Sequence, residues 1–144
     1  MAQPLESPPR SFGVIGGLFL IWNLMGVMAF VMQVTMSEEA LAALPEAERN
    51  LYVTLPAWAL GAFALAVFGG TIGCVLLLAK KAAAIPAFIA SLVGVLVQMT
   101  HSFFVSDVLK VMGPGSVVMP IMVVVGAIFL VWYARSAKAK HWIG

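Results

Sequence analysis

Charge is scarce in this sequence: eight Lys and Arg and six Asp and Glu stand among 144 residues, with a formal net charge of +2. Cysteine is nearly absent, Cys74 being the single one, and only His101 and His141 are histidines. One cysteine excludes an intrachain disulfide, a CxxC redox pair and a thiolate-rich metal site. One histidine within the apolar segments does not provide the two axial ligands of a six-coordinate haem. No Ser-His-Asp set, phosphate loop, zinc motif or pair of carboxylates at catalytic spacing occurs. The chain is therefore expected to be non-enzymatic, with no cofactor and no metal. Its few basic residues are too dispersed to require a nucleic-acid partner.

Apolar length is what the sequence has in abundance. Hydrophobic residues make up 62% of the chain, and the mean hydropathy is +1.05. Four runs hold most of them, at Phe12–Val34, Ala57–Ala79, Ala84–Ser106 and Ser116–Ala134. Each is close to the roughly 20 residues that a helix needs to cross a hydrocarbon core. A soluble fold has no polar shell large enough to cover four such runs. The expected fold class is all-α: an integral membrane four-helix bundle whose solvent is lipid. The first run is too long and too glycine-rich for a secretory signal, and is expected to remain as a helix.

Charge placement orients the bundle. Arg10, Lys80, Lys81, Arg135, Lys138 and Lys140 flank one set of run ends, and Glu38, Glu39, Glu46, Glu48 and Asp107 the other. The positive-inside rule then puts both termini in the cytoplasm of a bacterial cell, with the protein multi-pass in the inner membrane. Residues 1–11, with Pro4, Pro8 and Pro9, read as a flexible cytoplasmic tail. Residues 12–134 form the membrane domain, and 135–144 a second cytoplasmic tail. Residues 36–56 read as a short amphipathic extracytoplasmic cap between the first two spans. Ser37 followed by Glu38 and Glu39 has the pattern of a helix start, and Pro45 that of a second.

Polar side chains inside the runs are the candidate site. Asn23 lies near the middle of span one, beside Trp22, and Gln33 near its outer end. Thr71 sits near the middle of span two; Gln98 and His101 share a face of span three at a spacing of three residues. An unpartnered polar group in hydrocarbon is costly, so these residues should meet one another, water or a ligand inside the bundle. Two readings stay open: hydrogen bonds that specify packing, or a polar pocket for a small ligand. Asp107 and Lys110 are expected to pair at the outer interface. Gly13 and Gly17 in span one, and Gly69 and Gly73 in span two, have the small-xxx-small spacing that lets helices approach closely. Tyr52, Trp58, Phe103, Phe104, Trp132, Tyr133 and Trp142 lie near run ends, as interfacial anchors do.

Several short motifs carry a resemblance. Trp22-Asn23-Leu24-Met25-Gly26, Pro56-Ala57-Trp58, Gly69-Gly70 and Ser106-Asp107 look like features of small, uncharacterised bacterial four-span membrane proteins, some of them automatically labelled sugar transporter. That resemblance implies a small-solute transport alternative. Read from its residues, the chain is an accessory or scaffold protein, a homo-oligomer or part of a larger membrane-protein complex. The alternative is a transporter, or a protein that binds lipid or a small polar ligand.

Overall fold

In the computed structural model, residues 5–105, 110–111 and 113–144 are described. The chain is all-helical there, with no strand among the described residues. Helix α1 runs Arg10–Val34, α2 Glu38–Ala42, α3 Glu46–Val53, α4 Ala57–Leu78 and α5 Ala84–Thr100. A π-helical turn, His101–Val105, continues α5, and a 3-10 turn, Pro114–Val117, leads into α6 at Val118–Ala139. Four of these helices are long and apolar enough to cross a membrane. At 1.5 Å per residue, a 22-residue helix such as α4 or α6 extends about 33 Å, against a hydrocarbon thickness of about 30 Å.

Three of the long helices, α1, α5 and α6, each carry a stripe with a spacing of alternating three and four residues. On α1 the stripe is Phe12, Gly16, Phe19, Asn23, Gly26, Phe30 and Gln33; on α5 it is Ala84, Phe88, Ser91, Val95, Gln98 and Ser102. Helix α6 carries Met119, Val123, Gly126, Leu130, Tyr133 and Ala137 at the same spacing. This repeat averages 3.5 residues, the period that keeps a seam facing its neighbours in left-handed packing. α4 is the most buried of the four and α1 the least. Consecutive long helices pack against one another, α1 on α4, α4 on α5 and α5 on α6, while α1 and α6 stay apart at the backbone.

Small residues set the closest approach, between α4 and α5. A Cβ on Gly94 would lie 2.7 Å from the Ala62 carbonyl oxygen and 2.8 Å from the Ala66 nitrogen. The Ser91 hydroxyl donates across this seam to the Ala66 carbonyl at 2.6 Å. Gly69 faces Ser91, and Gly73 leaves room for the Phe88 ring, 2.6 Å from where its Cβ would be. On α1 nothing within the chain lies within 4 Å of a Cβ built on Gly13 or Gly17. The glycines of α1 that admit α4 are Gly16, against Leu78, and Gly26, against Val67. The reason is register, since 16 and 26 belong to the axial stripe while 13 and 17 each lie one position off it.

Among the described residues, both chain ends fold against the bundle at the end that holds the basic residues. α6 runs to Ala139 rather than stopping near Ala134. Lys80 and His141 then take the left-handed conformation, with φ of 62° and 61°. Each closes a Schellman turn: Lys81 N donates to Leu76 O after α4, and Trp142 N to Ala137 O after α6. The reversed C-terminus lies on the α4–α5 turn, with Gly144 N donating to Lys80 O and Ala82 N to Gly144 O. Glu6 N donates to His141 O, and Ile143 is buried. Ile143 joins Phe12, Cys74, Leu77, Ala84, Phe88, Tyr133 and Ala137 in one apolar core. Tyr133, expected as an interfacial anchor, stacks on Phe12 and Phe129 inside this half. Its place on the axial stripe explains the difference.

Candidate functional site

Toward the other end, where α2 and α3 join α1 to α4, the same stripes fail to fill the axis. The side chains there shorten to Gly26, Ala66, Val95, Val123, Gly126 and Ala127, and a cavity of about 460 Å³ opens between the four long helices. Its walls are mainly apolar, and four polar side chains reach it: Asn23, Ser91, Gln98 and Ser102. Asn23 and Ser91 make hydrogen bonds within the protein. Asn23 Nδ2 donates to the Phe19 carbonyl at 2.8 Å and lies 3.8 Å from Cys74 Sγ, and Ser91 donates to Ala66. Asn23 occupies the space that Gly70 leaves, since a Cβ there would collide with Asn23 Oδ1.

A second cavity, of about 150 Å³, lies under the cap. Leu51, Tyr52 and Leu55 cover it from above, and Gln33, Gln98, His101 and Ser102 supply its polar lining. Phe63, Gln98 and Ser102 border both cavities and form the partition between them. His101 is 6% exposed and meets the Trp58 indole edge to face, with centroids 5.3 Å apart. The π-helical turn begins at His101, and such turns frequently mark functional positions in helices. Ser37 caps α2 by accepting from Ala40 N, fixing the start of the cap.

The expected polar residues are thus divided. Trp22, Asn23 and Gln98 line the large cavity; Gln33, Gln98 and His101 line the small one. Thr71 belongs to neither, because its hydroxyl donates back to Val67 O within α4. Its position on α4, one residue past Gly70, turns it away from the axis. Asp107, and with it the expected pair to Lys110, lies outside the described residues. Phe63 and Ser102 were not singled out by sequence; Ser102 was detectable as the next member of the α5 stripe after Gln98, whereas Phe63 carries no polar signal.

The large cavity has a lateral mouth. Met25 on α1 and Met119 on α6 both line it, yet are 62% and 58% exposed on the outer surface of the bundle. Nearer the termini these two helices are bridged by rings, with Phe19 stacked on Phe129 at 5.5 Å and Phe12 on Tyr133 at 6.2 Å. The cavity therefore reaches the outer surface of the bundle beside Met25 and Met119. No grouping of three or more His, Cys, Asp or Glu able to hold a metal is present among the described residues. No protein-family model, no curated protein and no solved structure matches the chain.

Proposed function

We propose that the chain is a non-enzymatic, multi-pass protein of the bacterial inner membrane that binds a small lipid-soluble molecule between its helices. The observation that carries this reading is the cavity of about 460 Å³ with its exposed Met25–Met119 mouth. Its size lies within the range of about 300–1,000 Å³ usual for small-molecule sites, and its mainly apolar walls with a few polar groups follow the same pattern. Exposed Arg10, Lys80, Lys81, Arg135, Lys138 and Lys140 cluster at the end where both termini fold, which supports cytoplasmic termini and an extracytoplasmic cap. Gentle purification followed by native mass spectrometry tests the reading. A near-stoichiometric small molecule should copurify with the natural chain and be lost from Ala127→Phe, which fills the cavity. Protein that remains free of any bound molecule when reconstituted with a total lipid extract would contradict it.

A second reading, an accessory or scaffold protein that associates with itself or with a larger membrane complex, is favoured by a different surface. Gly13 and Gly17 present a side of α1 with nothing packed on it, where a helix of another subunit would fit closely. The same purification separates the two readings. A stoichiometric partner protein that is lost from Gly17→Leu supports the scaffold, and a solute flux carried by the isolated protein in vesicles would support the transport alternative.

A further inference from the structure

We infer that the two cavities form one composite site for a single-chain amphiphile with an uncharged, hydrogen-bonding head. The chain fills the large cavity and the head sits under the cap. This inference rests on the ligand-binding reading above and specifies the chemical class of ligand. The shared partition of Phe63, Gln98 and Ser102 makes the two spaces adjacent rather than separate sites. Polarity is distributed unequally between them. In the large cavity Asn23 and Ser91 hydrogen-bond within the protein, leaving their surroundings suited to hydrocarbon. Gln33 and His101 line only the small one and Gln98 borders both, and neither the two amides nor the imidazole has a side-chain hydrogen bond to a described residue.

Unsatisfied amides at membrane depth are costly, and a ligand head offering both a donor and an acceptor relieves that cost at Gln98 and His101 together. The head must be uncharged. No Asp, Glu, Lys or Arg is among the described residues that line either cavity, and an ion taken from water into such a site without a counter-charge carries a large desolvation penalty. Access follows from the same geometry. The lateral mouth at Met25 and Met119 opens toward acyl chains, so the ligand reaches the site from the bilayer, tail and head together. Long charged lipids with two chains fit neither the volume nor the lining.

Trp22 lines the large cavity and serves as a reporter. In a chain carrying Trp58→Phe, Trp132→Phe and Trp142→Phe, reconstituted in nanodiscs, Trp22 fluorescence is titrated with three brominated probes: dibrominated octadecyl alcohol, octadecane and octadecyl phosphate. The alcohol should quench saturably and bind roughly tenfold tighter than the alkane or the phosphate. Gln98→Leu and His101→Phe should each bring the alcohol close to the alkane, a loss of roughly five- to tenfold, and His101→Phe, which lies outside the large cavity, should leave alkane binding unchanged. Native mass spectrometry of the natural chain with the same probes repeats the ranking without substitutions. Equal, saturable binding of alcohol and alkane, indifferent to both variants, would overturn the head site while leaving the cavity reading intact. A phosphate that binds tightest would overturn the neutral head. Quenching that stays linear for all three probes would overturn the cavity reading itself.

Discussion

The half of the bundle that holds the termini and the half under the cap are built from the same helices with the same 3.5-residue stripes, yet one is packed shut and the other is hollow. Near the termini the inward positions carry Phe12, Leu77, Phe88, Leu130 and Tyr133, and the reversed C-terminus inserts Ile143 among them. Near the cap they carry Gly26, Ala66, Val123 and Gly126, and the axis stays open. Helix number is common to both halves, and the small side chains at these positions leave the cavity in one of them. In lipid this matters more than in water, because apolar burial gives helices no drive to close a gap.

Substitutions that act on the shared seam should damage both halves and have the largest effect. Gly94→Val places branched carbons against the α4 backbone; overpacking of this kind should cost about 3 kcal/mol or more. The measure is surfactant-induced unfolding of the solubilised protein, together with loss of a monodisperse peak on size exclusion. Next comes a matched truncation in each half. Phe88→Ala removes a ring that is 1% exposed and should cost about 3–4 kcal/mol, whereas Phe63→Ala only widens existing cavities and should cost about 1–2 kcal/mol. Equal losses in the same unfolding assay would show that the cap half is as tightly packed as the other.

Smaller effects sharpen the contrast. Ser91→Ala removes one hydrogen bond at a helix contact and should cost about 0.6 kcal/mol, the average found for such bonds in membranes. The smallest effect should be a gain. Lys80 and His141 hold the left-handed turns that seal the terminal half, and glycine adopts that conformation without the Cβ clash. Lys80→Gly and His141→Gly should each stabilise by about 0.5 kcal/mol after glycine's greater chain entropy is subtracted, read as a rise in the unfolding midpoint.

The four spans were legible because hydrophobic length is a direct requirement of the bilayer, and their boundaries agree with the helices to within a few residues except at Ala139, where α6 continues through Arg135 and Lys138. Such basic residues read as the end of an apolar run, but a helix need not stop at the membrane surface. The polar candidates were legible as costly groups, and Gln33, Asn23 and Gln98 lie on axial stripes. Their division between two cavities was not legible, because it depends on the absence of volume at Gly126 and Val123 on a different helix. Nor was the terminal latch: its two left-handed residues are Lys80 and His141, where no glycine signals the turn. The spacing of Gly13 and Gly17 indicates a smooth face without indicating which way it points.

The contrast between a sealed and an accessible half can be measured in one molecule. Native Cys74 is fully buried in the terminal half, and Gln98→Cys adds a second thiol on the partition between the cavities. Labelling with N-ethylmaleimide, a membrane-permeant thiol reagent, followed by peptide mass spectrometry reports both positions at once. A hollow cap half predicts that Cys74 reacts at least about tenfold more slowly than the new thiol. Equal protection of both, or faster labelling of Cys74, would contradict it.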